Sequence, residues 1–149
     1  RRLANSEDGL GLVVIDYLQL VSSGSRRVES RQVEVSEISR SLKTMALELG
    51  VPVIALSQLS RSAEKRESNQ PMLADLRESG SLEQDADMVL FINRKDYYEK
   101  AKDFNQKIVP AELIIAKHRK GGLGTVNLLF ELNMSSFKSQ LKAAGDENE

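Results

Sequence analysis

The chain has 149 residues, 40% of them apolar, and its 21 Lys and Arg against 22 Asp and Glu give a formal net charge of -1. This length suits one domain. The near-equal numbers of basic and acidic residues argue against a histone-like DNA-binding protein, although a local basic patch is still compatible with nucleic-acid binding. The absence of Cys and the single His118 exclude disulfides, thiol catalysis and multi-histidine metal sites. No apolar run approaches the ~20 residues that span a bilayer and no signal peptide is visible, so we expect a soluble cytoplasmic protein.

The first part of the chain predicts a strand, a helix and a second strand. Residues 12–15 are apolar and mostly β-branched, which is typical of a buried strand in a parallel sheet. Residues 22–31 are polar and predict an exposed loop. From 32 to 49, apolar residues recur every three or four positions, which indicates an amphipathic helix that ends at Gly50. Residues 53–56 repeat the apolar run and complete a βαβ unit.

The middle of the chain alternates polar segments with one apolar run. Residues 60–73 are charged and contain a Pro, which predicts a mobile loop. Residues 74–87 predict one or two helical turns, and the apolar residues 88–93 predict a third strand. Residues 94–109 are typical of a solvated insertion, and nothing in the sequence indicates a role for them.

A hairpin is predicted near the C-terminus. Residues 112–116 and 126–132 have strand character, and "KHRKGGLGT" connects them. The segment 134–149 is polar and ends "AAGDENE", so we expect a frayed tail there. One folded domain is therefore expected over residues 1–133.

Two polar side chains follow consecutive strands of the predicted βαβ unit. Asp16 follows the first apolar run, and Gln58 follows the second. Ligands of such sheets bind beyond the carboxyl ends of the strands, so both side chains should face one crevice. A carboxylate there can hold Mg²⁺ through water, as a Walker B acid does, and an amide can contact a γ-phosphate. An Asp at a strand end can equally cap the next turn.

The hairpin tip carries two cations that alternation places on one side. Lys117 and Arg119 point the same way along the strand, and His118 points the opposite way. Beside flexible glycines, such cations can reach a neighbouring subunit and stabilise a transferring phosphoryl group as an arginine finger does. The alternative is a solvated basic turn.

Four blocks between residues 10 and 132 stand in a specific order. They are "VVIDYLQL", "VIALSQLSR", "DLRESGSLEQDADMVLFI" and "KHRKGGLGTVNLLF". Together they resemble the C-terminal motor domain of the bacterial replicative DNA helicase family DnaB. The resemblance implies an α/β fold: the second half of a RecA-like P-loop ATPase core, a mostly parallel sheet flanked by helices, with a C-terminal β-hairpin.

The resemblance also implies an activity and its partners. Members of this family are homohexameric rings that hydrolyse ATP or another nucleoside triphosphate with Mg²⁺ at subunit interfaces. They translocate on single-stranded DNA and unwind duplex at the replication fork. Primase, a helicase loader and other replisome proteins are the expected partners, in the bacterial cytoplasm near the nucleoid, with no membrane involved.

The family's nucleotide-site roles fall on four residues of this sequence. By resemblance, Asp16 is the Walker B acid that holds Mg²⁺ through water. Gln58 is the amide that senses the γ-phosphate and couples it to the DNA loops. Lys117 and Arg119 are the basic pair that reaches the neighbouring subunit's nucleotide. These four residues are thus the implied catalytic and nucleotide-binding set.

The resemblance further implies two loops that contact DNA in a central channel. Their residues are Arg77, Glu78 and Gly80 in one loop, and Arg61, Lys65 and Arg66 in the other. The loop at 60–73 has no aromatic residue, so we expect it to attract phosphates rather than stack on bases. Tracking the backbone without reading bases suits a motor that must accept any sequence.

No G-x-x-x-x-G-K-[ST] motif occurs in the 149 residues. The glycines of "KGGLGT" lie in a predicted hairpin and lack the Lys-Ser/Thr ending. In the family, the phosphate-binding loop and the catalytic glutamate precede the block that starts here at Gly11. We therefore expect a fragment that is inactive alone. We also expect it to be marginally stable or self-associating, because the strand ending at Asp16 lacks its earlier neighbours and has an unpaired edge or an exposed face.

Two other interpretations are open at this point. One is a RecA-like ATPase with another task, such as a phage-type primase-helicase or a recombination ATPase. The other is a non-catalytic RecA-like module that only binds partners. The block "RESGSLEQDADMV" favours the replicative branch, whereas the missing phosphate loop is compatible with the module.

Overall fold

The structure is a computed structural model that describes residues 9–22, 30–60, 66, 70–97 and 107–140, without the side chains of residues 77–80 and 95. The chain divides into two compact units, and the single domain expected over residues 1–133 stays a prediction. The first comprises the described residues of Arg1–Ser62 and Leu73–Ala86, and the second those of Ala63–Met72 and Asp87–Glu149.

The first unit contains the predicted strand–helix–strand arrangement. Strand β1 (Val13–Ile15) pairs in parallel with β2 (Val53–Ala55), with Val13 opposite Val53. Helix α1 (Arg31–Leu49) connects the two strands along the chain. The βαβ unit is therefore confirmed, and with it the parallel direction of its two strands.

Helix α1 begins and ends at residues suited to those positions. The Ser30 hydroxyl accepts a hydrogen bond from the Val33 N–H at 3.4 Å and caps the N-terminus, so the helix begins one residue before its predicted start at residue 32. Residues 23–29 of the predicted loop lie outside the described part of the chain. Gly50 ends the helix in the left-handed region with φ of 65°. No helix in the described part of the chain is long and apolar enough to cross a membrane.

A second, short helix packs on α1 within the first unit. Residues Leu73–Ser79 form a 3₁₀ helix that leads into α2 (Gly80–Asp85). The helical turns predicted for residues 74–87 are therefore confirmed. The buried Ser39 hydroxyl on α1 donates to the Asp85 carboxylate at 2.7 Å. The buried apolar residues of this unit are Leu18, Val35, Ile38 and Leu76.

The second unit is a four-stranded antiparallel sheet in the order β3-β4-β5-β6. Its strands are β3 (Met88–Asn93), β4 (Ile108–His118), β5 (Gly124–Glu131) and β6 (Ser136–Ser139). The α/β class and the hairpin are confirmed, but antiparallel pairing extends further than expected. Among the described strands only β1 and β2 are parallel, because the long β4 pairs with β3 on one side and β5 on the other.

Strand β6 lies in the segment for which a frayed tail was expected. Phe137 stands opposite Phe130 of β5, and their ring centroids are 4.7 Å apart. The Arg94 guanidinium lies 4.3 Å from the centroid of the Phe130 ring and bonds the Asp96 carboxylate. These contacts extend the ordered sheet to Ser139.

Strand β4 also starts earlier than the sequence predicted. It includes Ile108 and Val109, which belonged to the expected solvated insertion, and Val109 is fully buried. Residues 98–106 of that insertion lie outside the described part of the chain. The insertion is therefore shorter than the run of polar residues suggested.

Apolar side chains are exposed on strands of both units. In the first unit Val14 is 57% exposed and Ile54 49%, and in the second Leu90 is 48% and Ile92 58% exposed. The expected exposed strand face is thus confirmed, and low stability or self-association of the isolated chain stays a prediction.

Candidate functional site

Asp16 and Gln58 line one open depression in the first unit. Its lining residues are Asp16, Tyr17, Leu56, Ser57 and Gln58. Asp16 directly follows β1, and Gln58 lies three residues beyond the end of β2. Because the strands are parallel and in register, both segments leave the sheet at the same edge. Both side chains are exposed, so the crevice expected from the sequence is present and open to a ligand.

Backbone hydrogen bonds continue the pairing beyond the two strands. The Leu56 N–H donates to the Ile15 carbonyl at 2.9 Å, and the Leu18 N–H donates to the Leu56 carbonyl at 2.9 Å. The peptide bond between Asp16 and Tyr17 is cis. Leu18 is buried, so the segment after Asp16 is fixed both by hydrogen bonds and by packing.

Gln19 connects the segment after β1 to the segment after β2. Its side-chain amide donates to the Ser57 hydroxyl at 3.1 Å and to the Gln58 carbonyl at 3.3 Å. Its side-chain carbonyl accepts from the Gln58 N–H at 3.4 Å. Arg31 at the start of α1 donates to the Gln19 main-chain carbonyl at 2.8 Å. Gln19 was not among the site residues predicted from the sequence, although a polar residue among apolar ones in "DYLQL" was a signal.

The chain beyond Gln58 contacts the segment that carries predicted DNA-binding residues. The Ser60 N–H donates to the carbonyl of Asp75, a buried residue in the 3₁₀ helix Leu73–Ser79. Arg77 and Glu78 lie in that same 3₁₀ helix, and Gly80 begins α2. The backbone thus links the Gln58 segment to the first of the two predicted DNA loops.

The second predicted DNA loop is only partly described. Arg66 is half-buried and belongs to the second unit, whereas Arg61 and Lys65 lie outside the described residues. The structure therefore places one member of that basic set and leaves the other two without a description.

The predicted cation pair belongs to the second unit, at the end of β4. Lys117 is the penultimate residue of β4, and Arg119 follows its last residue. The Arg119 N–H donates to the Asp87 carbonyl at 2.9 Å, and its Nε lies 3.8 Å from Asp87 Oδ1. Both side chains are about half exposed or more, so this ion pair holds the guanidinium weakly. Asp87 was not predicted as a partner from the sequence.

The turn after β4 closes against an imidazole ring. A Cβ atom placed on Gly121 would overlap the Cε1 and Nδ1 atoms of His118. A Cβ on Gly122 or Gly124 would meet nothing within 4 Å. Of these three glycines, only Gly121 lies so close to the ring that an added Cβ would make the His118 side chain move.

Asp16 is the residue of the depression best suited to a metal ion. Among the described residues no group of three or more His, Cys, Asp or Glu could hold a metal ion directly. Mg²⁺ keeps several waters and needs only one or two carboxylates beside the phosphates of a nucleotide. An exposed carboxylate in an open depression fits a hydrated Mg²⁺ better than an ion enclosed by protein.

Comparison with known proteins identifies close relatives. The family model for the DnaB-like helicase C terminal domain matches residues 1–139. The chain is 58% identical over 137 residues to the replicative DNA helicase DnaB of Geobacillus stearothermophilus and 56% identical to the replicative DNA helicase DnaC of Bacillus subtilis (strain 168). Each alignment covers 92% of this chain and 29% of the relative, so the chain spans less than a third of these proteins.

Two solved structures share the fold. One, an isolated ATPase domain, aligns with a TM-score of 0.79 and 49% identity, over 91% of this chain and 46% of that one. A DnaB-like replicative helicase, described with its interactions with primase, aligns with the same TM-score and identity over 91% of this chain and 32% of that one. From the match over residues 1–139 and the shared fold, the chain belongs to the family of DnaB-like helicase C-terminal domains.

Proposed function

We propose that this chain provides the nucleotide-sensing half of an ATP-dependent motor that unwinds DNA at the replication fork. One observation carries the proposal. Asp16 and Gln58 share a depression at the carboxyl edge of a parallel strand pair, and the backbone after Gln58 bonds the segment that carries Arg77 and Glu78. The replicative helicases among its relatives support the same interpretation.

Asp16 and Gln58 have different tasks in this proposal. The Asp16 carboxylate holds waters of a Mg²⁺ ion that accompanies ATP or another nucleoside triphosphate. When bound, this magnesium nucleotide supplies the phosphoryl group that is transferred to water. The Gln58 carboxamide contacts the γ-phosphate and loses that contact after hydrolysis. The resulting shift of the Gln58 backbone then reaches Asp75 through the hydrogen bond from the Ser60 N–H.

Lys117 and Arg119 act on the nucleotide of a neighbouring copy in the proposed homohexamer. Arg119 is 48% exposed and follows the end of a strand, so its side chain can extend into another subunit. A guanidinium binds phosphoryl oxygens through two parallel hydrogen bonds and keeps its charge at any physiological pH. Both properties suit an arginine finger that stabilises charge on the transferring group.

The substrate in this proposal is single-stranded DNA. The loop with Arg77, Glu78 and Gly80 holds its phosphates largely through backbone contacts. The basic residues of the other predicted loop, Arg61, Lys65 and Arg66, attract the phosphates electrostatically. Contacts to phosphates carry no sequence information, which a translocating motor requires. Primase is a proposed partner, because a relative has been described in its interactions with primase. We extend the proposal to a helicase loader and other replisome proteins in the bacterial cytoplasm.

A chimeric helicase tests the finger assignment. In it, the aligned 92% of this chain replaces the segment of the Geobacillus protein that matches it over 137 residues. Arg119→Ala should lower DNA-stimulated ATP hydrolysis by about 10³-fold or more, the usual contribution of an arginine finger. Binding of a fluorescent ATP analogue should stay within about twofold, because the finger acts mainly on the transition state.

The matched control is Lys120→Ala. This residue is exposed in the same turn, and its substitution removes the same charge. It should leave hydrolysis within about threefold of the parent chimera, as expected for a surface residue outside the site. Hydrolysis by Arg119→Ala that also stays within a few fold of the parent would contradict the assignment.

A further inference from the structure

We infer that Gln19 is a positioning residue that holds the Gln58 backbone and thereby couples the nucleotide depression to the predicted DNA-binding segment. The inference rests on the proposed function. It assigns a role to a residue that the resemblance left without one. Gln19 lies three residues after Asp16 in the 3₁₀ helix Leu18–Leu20.

The Gln19 side chain bonds the Gln58 backbone as a neighbouring strand would. Strand β2 ends at Ala55, and residues 56–60 have no regular structure. The Gln19 carboxamide donates to the Gln58 carbonyl at 3.3 Å and accepts from the Gln58 N–H at 3.4 Å. A carboxamide has the same donor and acceptor as a peptide group, so it can bond both backbone groups of one residue. The third bond, to the Ser57 hydroxyl at 3.1 Å, fixes the preceding residue as well.

Gln19 is itself held from two sides. Its neighbour Leu18 is only 2% exposed and bonds the Leu56 carbonyl through its N–H at 2.9 Å. Its own main-chain carbonyl accepts from Arg31 Nη2 at 2.8 Å. The main chain of Gln19 is therefore held by the buried Leu18, by Leu56 directly after β2 and by the start of α1, and from this position its side chain reaches Ser57 and Gln58.

The segment from Ser57 to Ser60 is attached at both ends. Gln19 holds its beginning, and the Ser60 N–H bonds the Asp75 carbonyl at 3.2 Å at its end. A shift of Gln58 can reach Asp75 only if the segment moves as a unit. Without the Gln19 side chain, residues 57 and 58 can change conformation independently of the rest of the segment. A shift of Gln58 then does not displace Ser60.

The test compares Gln19→Leu, Gln58→Ala and the double variant in the chimeric helicase. Gln19→Leu removes all three side-chain hydrogen bonds and keeps a similar side-chain volume. We expect the DNA-stimulated kcat to fall about tenfold while the KM for ATP stays within about twofold. Gln58→Ala should show at least this loss, and adding Gln19→Leu to it should cause less than a further twofold change, because both act through one path.

The matched control is Gln32→Leu. It makes the same chemical change on the exposed first turn of α1, away from the Gln58 segment, and should leave kcat within about twofold. If Gln19→Leu does not assemble into hexamers by size-exclusion chromatography, Gln19→Glu replaces it. That variant keeps the shape and the oxygen that accepts from the Gln58 N–H, but its carboxylate cannot donate to the Gln58 carbonyl and places a negative charge against it. The same loss of kcat is expected.

The outcomes separate this inference from the proposed function. If Gln58→Ala and Arg119→Ala lose DNA-stimulated hydrolysis while Gln19→Leu keeps it within twofold, the inference is wrong and the proposed function stands. The inference is also wrong if the losses from Gln19→Leu and Gln58→Ala multiply in the double variant. If Arg119→Ala and Gln58→Ala both retain hydrolysis, the proposed function itself fails.

Discussion

Leu18 should contribute more to the stability of the first unit than any exposed leucine near it. It is 2% exposed and lies directly between the site residues Tyr17 and Gln19. Truncating a buried leucine to alanine removes transfer free energy and leaves a cavity, which together cost about 2–5 kcal/mol. For Leu18→Ala we expect a loss of about 3 kcal/mol in the free energy of unfolding.

Urea unfolding followed by far-ultraviolet circular dichroism measures this loss. Both described α-helices, α1 and α2, belong to the first unit, so the helical signal reports on it. With a urea slope of about 2 kcal/mol per molar, a loss of about 3 kcal/mol lowers the midpoint by roughly 1.5 M. The measurement is made on the 149-residue chain with a stabilising osmolyte present, so that the parent chain is fully folded before urea is added, and the slope is compared between variants.

Leu20→Ala is the control for Leu18→Ala. Leu20 ends the same 3₁₀ helix and undergoes the same chemical change, but it is 70% exposed. Its substitution should change the free energy of unfolding by about 0.5 kcal/mol or less. Equal shifts of the two midpoints would refute the assignment of Leu18 to the core of this unit.

Three further predictions concern the depression, the hairpin turn and the end of α1. Asp16→Asn should raise the Mg²⁺ concentration needed for half-maximal ATP hydrolysis by the chimeric helicase, and an unchanged titration would exclude the metal role. Gly121→Ala should destabilise the chain by about 1 kcal/mol in thermal unfolding because it displaces the His118 ring, whereas Gly122→Ala should not. Gly50→Ala should cost about 1 kcal/mol in urea unfolding because φ is 65° there.

Helix α1 shows what a sequence pattern can specify. Its apolar stripe was visible from the spacing, and Val35 and Ile38 on that stripe are buried. Gly50 marked the end because few other residues adopt a left-handed conformation. The start at Ser30 was missed because a capping serine within a polar loop looks like any other loop residue until its N–H partner is known.

The sheets show where the pattern is insufficient. An apolar run such as β3 predicts a strand but not the direction of its partner, so the antiparallel pairing with β4 could not be anticipated. Strand β6 has only four residues, which is too short for an alternating pattern to be recognised, and Phe137 is its one aromatic residue. Its place in the sheet depends on Phe130, a contact between strands that the local sequence does not encode.

The candidate site was predictable to the extent that it follows from strand ends. Asp16 and Gln58 come together because their strands are consecutive and parallel, which the βαβ pattern already implied. Gln19 could not be assigned in this way, because its side-chain partner Ser57 is 38 residues away. Asp87 likewise became a partner of Arg119 only through the pairing of β3 with β4.

The packing of Leu18 is stronger than the hydrogen bonds from Gln19 to Gln58, and this difference suits the proposed sensing of the γ-phosphate by Gln58. Leu18 is buried, so the main chain that carries Gln19 changes position little while the first unit stays folded. The bonds from Gln19 to Gln58 are neutral and solvent-exposed, and each is worth only about 1 kcal/mol net. A hydrogen bond to a charged γ-phosphate has a comparable or larger free energy, so forming or breaking it can move the Gln58 segment without unfolding the first unit. Leu18→Ala should therefore reduce stability and coupling together, whereas Gln19→Leu should reduce coupling with a much smaller loss of stability.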